Sequence, residues 1–252
     1  MVTGLEKFKE YFKNYIDSYV LIGGAACDIL FTENEANFRA TRDLDMVLIV
    51  EALSKEFVAT FWEFIKDGQY RHVFGSKKSP QFYRFDQPQV QGFPKMIELF
   101  SRMNFALKNN VGITPIHIDD TVSSLSAILL DDDYYGLLVD GKVVENGCSV
   151  LRSEYLILFK SKAYLDLKKR KEQGETIDST DIKKHKKDIL RLSVEMVLNP
   201  VYSLPISVKN DIKQFISQLE NDPYDSNSLK YYKTTTKQII NRLETIFLKA
   251  PE

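Results

Sequence analysis

Asp43-Leu44-Asp45 opens the run DLDMVLIVE, and eighteen residues separate it from the pair Gly23-Gly24. In a strand, residues two apart project from the same face, so these carboxylates would stand side by side at a strand end. Acids that close repel unless a cation lies between them, and a divalent metal is the usual solution. Upstream, YVLIGGAACDILF reads as a strand at Tyr19 to Ile22, a two-glycine turn and a short helix. Backbone N–H groups at such a helix start are free, and the helix dipole favours a phosphate there. The combination points to a nucleotide–metal site. Each half alone has a plainer reading, because Asp-x-Asp often marks a solvated turn and glycine pairs mark turns everywhere.

The elements that would carry these residues follow from hydrophobic spacing. Leu5, Phe8, Tyr11, Phe12 and Tyr15 or Ile16 recur at helical period, which predicts a helix over 5–18. Strands are expected at 19–22 and 43–50, and a helix at 54–67, where Phe57, Phe61, Trp62 and Ile65 form a core stripe. Residues 70–75, 81–87 and 93–101 read as strands around the turn Lys77-Lys78-Ser79-Pro80. Across 111–150 short apolar runs alternate with turn formers, and Asp140-Gly141 between YYGLLV and KVVENG signals a hairpin. From Ser153 the pattern turns helical, over 153–172, 180–198, 206–220 and 228–248, with Pro200, Pro205 and Asp222-Pro223 as breaks. The boundary therefore falls near residue 150, dividing 1–150 from 151–252.

GGAACDILFTENEANFRATRDLDMVL resembles the signature of the DNA polymerase β-type nucleotidyltransferase superfamily: a hydrophobic residue, Gly, Gly or Ser, a spacer, then Asp-hydrophobic-Asp-hydrophobic. Arg39-x-Thr41-x ahead of Asp43-Leu44-Asp45 is similar to the AbiEii-type abortive-infection toxin branch and to some antibiotic nucleotidyltransferases. The resemblance calls for a third carboxylate on a neighbouring strand. Glu98 in FPKMIELF is the candidate, its plainer reading being an edge-strand surface acid. A second block, from Leu158 to Leu192, looks like the motif in which a helix carrying Lys-x-x-Ala leads to an Asp starting the next helix. Lys160 and Ala163 match the Lys and Ala, and Asp181 the later Asp; Leu167 departs from the Arg of many relatives, and Lys162 competes with Lys160.

The resemblance spans roughly residues 19 to 192 and implies an α+β fold. A nucleotidyltransferase-type mixed sheet with flanking helices would fill 1–150, and a C-terminal helical bundle at 151–252 would complete the cleft. It implies a metal-dependent enzyme moving an NMP from an NTP to an acceptor hydroxyl, on RNA such as tRNA or on protein. Asp43, Asp45 and Glu98 would hold two Mg²⁺ ions, with Mn²⁺ a substitute. Gly23, Gly24, Lys160 and Asp181 would bind the nucleotide, and a cognate antitoxin is an implied partner. Two alternatives stay open: an enzyme modifying lincosamide- or aminoglycoside-type antibiotics, and a nucleotide-binding regulatory module without turnover.

At 252 residues and 44% hydrophobic content the chain can bury a real core. Its net charge of −1 announces neither nucleic acid nor membrane, yet 152–191 holds twelve Lys or Arg against seven Asp or Glu. That local excess reads as a solvated helix face or as a platform for a polyanion. Cys27 and Cys148 are too few for a disulfide framework, and a cytoplasmic location is expected. The N-terminal stretch carries charges throughout, unlike a signal segment, and no run reaches the ~18 apolar residues of a membrane span. His72, His117 and His185 are dispersed, which argues against zinc. No Ser or Cys elbow stands beside a base, which argues against covalent hydrolysis.

Overall fold

Phe8 and Phe12, one helical turn apart, stack at 4.5 Å and start an aromatic core. They lie on α1 (Leu5–Phe12), and Phe12 also meets Phe64 of α3 (Lys55–Asp67) at 5.3 Å. Ser54 caps α3 by accepting from the Phe57 N–H, which sets Phe57, Phe61, Phe64 and Ile65 on one buried face. Trp62 of the expected stripe is half-buried, and Phe64 takes its place in the core. In this computed structural model the described residues are 2–33, 43–75, 82–101, 128–129 and 131–249. Arg39, Thr41, the turn at 77–80 and His117 lie outside them.

The strands are β1 (Tyr19–Leu21), β2 (Asp43–Leu48), β3 (His72–Gly75), β4 (Phe82–Asp86), β5 (Met96–Ser101), β6 (Lys142–Glu145) and β7 (Cys148–Leu151). They form one mixed sheet in the order β3-β4-β5-β2-β1-β7-β6. β2 runs parallel to β5 and β1 parallel to β7, while the other neighbours are antiparallel. α2 (Gly23–Glu33) follows β1 directly. The chain divides into two compact units: Met1–Asp119 with Leu138–Arg152, and Asp120–Leu137 with Ser153–Glu252. The second unit thus takes in a stretch that the sequence reading assigned to the first.

That stretch also corrects the reading of the hairpin. YYGLLV is part of a helix, α4 (Asp132–Asp140), not a strand. Asp131 explains why: its Oδ1 accepts from the N–H groups of Asp133 and Tyr134 at 3.0 and 3.2 Å, capping the helix. The hairpin is formed by β6 and β7 around Asn146-Gly147, whose φ values of 49° and 71° suit a two-residue turn.

After Ser153 the described chain is helical: α5 (Ser153–Glu172), α6 (Ser179–Glu195), α7 (Ile206–Asn221), α8 (Ser226–Tyr231) and α9 (Thr236–Phe247). The single helix expected over 228–248 is two. Lys233 has φ +51°, and Thr235 with Gln238 builds a capping box that starts α9 afresh. α1 is likewise shorter than the 5–18 expected. Within the second unit, Tyr134 donates to Asp211 Oδ2 at 3.0 Å and packs edge-on to Phe159, tying α4 to α5 and α7. No helix among the described residues is long and apolar enough to cross a membrane.

Candidate functional site

Asp45 and Glu98 are register partners on the parallel strands β2 and β5, so their side chains leave the sheet from the same face. Asp43, two residues earlier on β2, faces the same side and pairs in register with Met96. Asp43 and Asp45 are half-buried, and Glu98 is 8% exposed. β5 lies inside the sheet, between β4 and β2, so Glu98 is no edge-strand surface acid. Arg84, its partner across β4, donates to Glu98 Oε1 from Nε at 2.8 Å and from Nη2 at 2.5 Å.

Burial first, and the negative charge of Asp45 second, push the Glu98 carboxyl up to about 8, against the opposing pull of Arg84. Glu98 therefore keeps its proton well above the usual carboxylate range, and its hydrogen bond to Asp45 reinforces this.

Gly23 closes the other side. It is the first residue of α2 rather than part of a separate turn, and it has φ +63°. A Cβ at this position would lie 1.9 Å from Asp45 Oδ2. Only glycine fits, because the carboxylate occupies the space and the backbone is left-handed. The Ile22 N–H donates to the Asp45 carbonyl at 3.0 Å and fixes the approach. Asp45 thus sits against the start of a helix whose first turn carries no acid. Its first N–H groups lack intrahelical partners by geometry, as at every helix start.

Among the described residues no three His, Cys, Asp or Glu groups stand at the separations of a formed metal site. The interacting pair is Asp45 and Glu98, with Asp43 beside them on the strand. Lys160 and Asp181 belong to the second unit. Lys160 is 6% exposed on α5, and its Nζ donates to Asp188 Oδ2 of α6 at 2.9 Å. Asp181, expected to meet Lys160, stands seven residues before Asp188, two turns or about 10 Å along the helix. Asp188 is 2% exposed and takes that role because its turn of α6 is the buried one. The competing lysine, Lys162, donates to Asp211 of α7 at 2.8 Å.

Sequence reasoning missed Arg84 and Asp188. The signal for each was an ion inside an apolar run: Arg84 in FYRFD, and Asp188 in DIL following a lysine-rich stretch. Searches against protein-family models and against curated proteins find no match to the chain.

Proposed function

We propose that the protein is a metal-dependent nucleotidyltransferase whose reaction centre is the Asp45–Glu98 pair beside the start of α2. One observation carries the reading. Asp45 and Glu98 are register partners on adjacent parallel strands, with Asp43 on the same face of β2, and their carboxyls lie close enough to favour a proton between them. A divalent cation would replace that proton, and the all-oxygen donor set of Asp45 and Glu98, with Asp43 next to them, suits Mg²⁺ or Mn²⁺. Bound there, such an ion would polarise an acceptor hydroxyl and offset triphosphate charge.

The protein's own residues do the rest. Gly23, free of a Cβ, lets the Asp45 carboxylate lie against the helix start, where dipole and N–H groups favour a phosphate brought in beside it by a cation. Burial of Glu98 keeps water from screening the charges. Arg84 sets the Glu98 carboxyl in place through its paired N–H groups. Lys160, engaged with Asp188, serves the packing of the helical unit in this reading rather than the phosphate.

The Arg84–Glu98 contact favours a second reading. A guanidinium already occupies the Glu98 carboxyl where a cation would bind, as in a module that binds nucleotide without turnover. The deciding experiment is incubation with Mg²⁺, each labelled NTP and total RNA, with lincosamides and aminoglycosides as alternative acceptors. Label transfer that falls by several powers of ten in Asp43→Asn, Asp45→Asn and Glu98→Gln supports the enzyme. Transfer at wild-type rate by Asp45→Asn overturns it, and nucleotide binding without transfer to any acceptor leaves the second reading.

A further inference from the structure

The second unit contains a cavity of about 740 Å³ at the junction of the C-terminal half of α5, the N-terminal half of α6 and the segment leading into α8. Five lysines line it, Lys168, Lys171, Lys183, Lys186 and Lys187, against three carboxylates. Two of those carboxylates are in use: Asp222 accepts from Lys186 at 2.7 Å, and Asp225 accepts from the Ser228 N–H at the start of α8. Three lysines are held by neighbours. Lys168 donates to Gln218 Oε1, Lys171 to Ser179 Oγ, and Lys186 to Asp222 and to the Pro223 carbonyl.

Lys183 and Lys187 differ. They are exposed, one turn apart on α6, and among the described residues neither makes an ion pair or a side-chain hydrogen bond. Like charges at this spacing repel, and an anion between them relieves the repulsion. Beneath the lysines the lining turns apolar. The Tyr164 and Tyr224 rings lie under Lys168 Nζ and Lys186 Nζ at 5.9 and 5.4 Å, with Ile182 and Leu190 beside them.

A cationic mouth over an aromatic and aliphatic floor matches a ligand with a phosphate tail and a flat ring. The volume lies within the range of roughly 300–1,000 Å³ typical of small-molecule sites. We propose that this cavity binds a nucleoside phosphate, its phosphates on Lys183 and Lys187 and its base toward the tyrosine-lined floor. Inorganic polyphosphate would use the lysines and leave the floor bare. The site lies wholly within the second unit and does not depend on the Asp45–Glu98 pair.

The test is calorimetry on the full chain with EDTA present, which silences metal-dependent binding elsewhere. The probes are ATP, GTP, CTP, UTP, adenosine, tripolyphosphate and a structured RNA. At least one nucleoside triphosphate should bind at least tenfold more tightly than adenosine and tripolyphosphate. Lys183→Ala/Lys187→Ala should weaken it tenfold or more, with an unchanged far-ultraviolet spectrum and melting temperature. Asp45→Asn should leave it unaltered, whatever that substitution does to transfer. Tripolyphosphate matching the nucleotides, full binding by the double lysine variant, or loss in Asp45→Asn overturns the proposal. So does RNA binding through the two lysines when no mononucleotide binds.

Discussion

Glu98 links the acid pair to the stability of the metal-free protein. Its carboxyl ionises near 4.5 in the unfolded chain and near 8 in the folded one. Between those values the folded state holds a proton that the unfolded state has lost, so stability falls as pH rises through the window and levels off above it. Thermal melts of wild type and Glu98→Gln at pH 5 to 8 should show the wild type losing ground steadily with pH. A constant difference between the two would contradict the shared-proton arrangement. Glycine offers a paired test of opposite sign. Gly23→Ala puts a methyl into the Asp45 carboxylate and forces an L residue to φ +63°, which should cost at least ~1–2 kcal/mol in urea unfolding. Gly136→Ala, within α4 where a Cβ meets nothing within 4 Å among the described residues, should instead stabilise by about 0.5–1 kcal/mol.

At the level of elements, the buried Lys160–Asp188 pair holds α5 to α6. Lys160→Met alone takes the ammonium from the buried Asp188 carboxylate and should cost roughly 3–5 kcal/mol, whereas Lys160→Met/Asp188→Leu should lose much less. A double-mutant cycle in denaturant reads the difference. Had the lysine no buried partner, the two losses would simply add. How far such elements were legible depended on whether their cause was local. The strand starting at Asp43, the helix over 153–172 and the aromatic face of α3 follow from periodicity, so their residues announce them. The helix at 132–140 did not, because its signal is one capping carboxylate, Asp131, ahead of a tyrosine pair that reads equally well as strand. The closeness of Asp45 and Glu98 follows from β2–β5 register. Arg84 on Glu98 and Asp188 on Lys160 are pairings between distant residues, which spacing along one element does not encode.

For the molecule as a whole, the segment before β6 matters more than its length suggests. Tyr134 is 1% exposed and its hydroxyl meets Asp211, which also takes Lys162. Tyr134→Phe should cost the helical unit about 1.5–3 kcal/mol, the range for a hydrogen bond to a charged group. Hydrogen exchange at α5 and α7 amides should quicken accordingly; unchanged protection would mean that α4 contributes nothing to that unit.

The place of β1 in the sheet has a consequence for synthesis. One of its neighbours, β2, follows soon after, but the other, β7, brings Val150 to Leu21 from 129 positions downstream. At about 5–20 residues per second, a nascent chain would wait roughly 6–26 seconds for that partner. During that interval one edge of an apolar strand stays open to neighbouring chains on the polysome. Recovery from translation should therefore depend on holdase chaperones more than refolding of the finished polypeptide does, since the complete chain has Val150 to hand from the start.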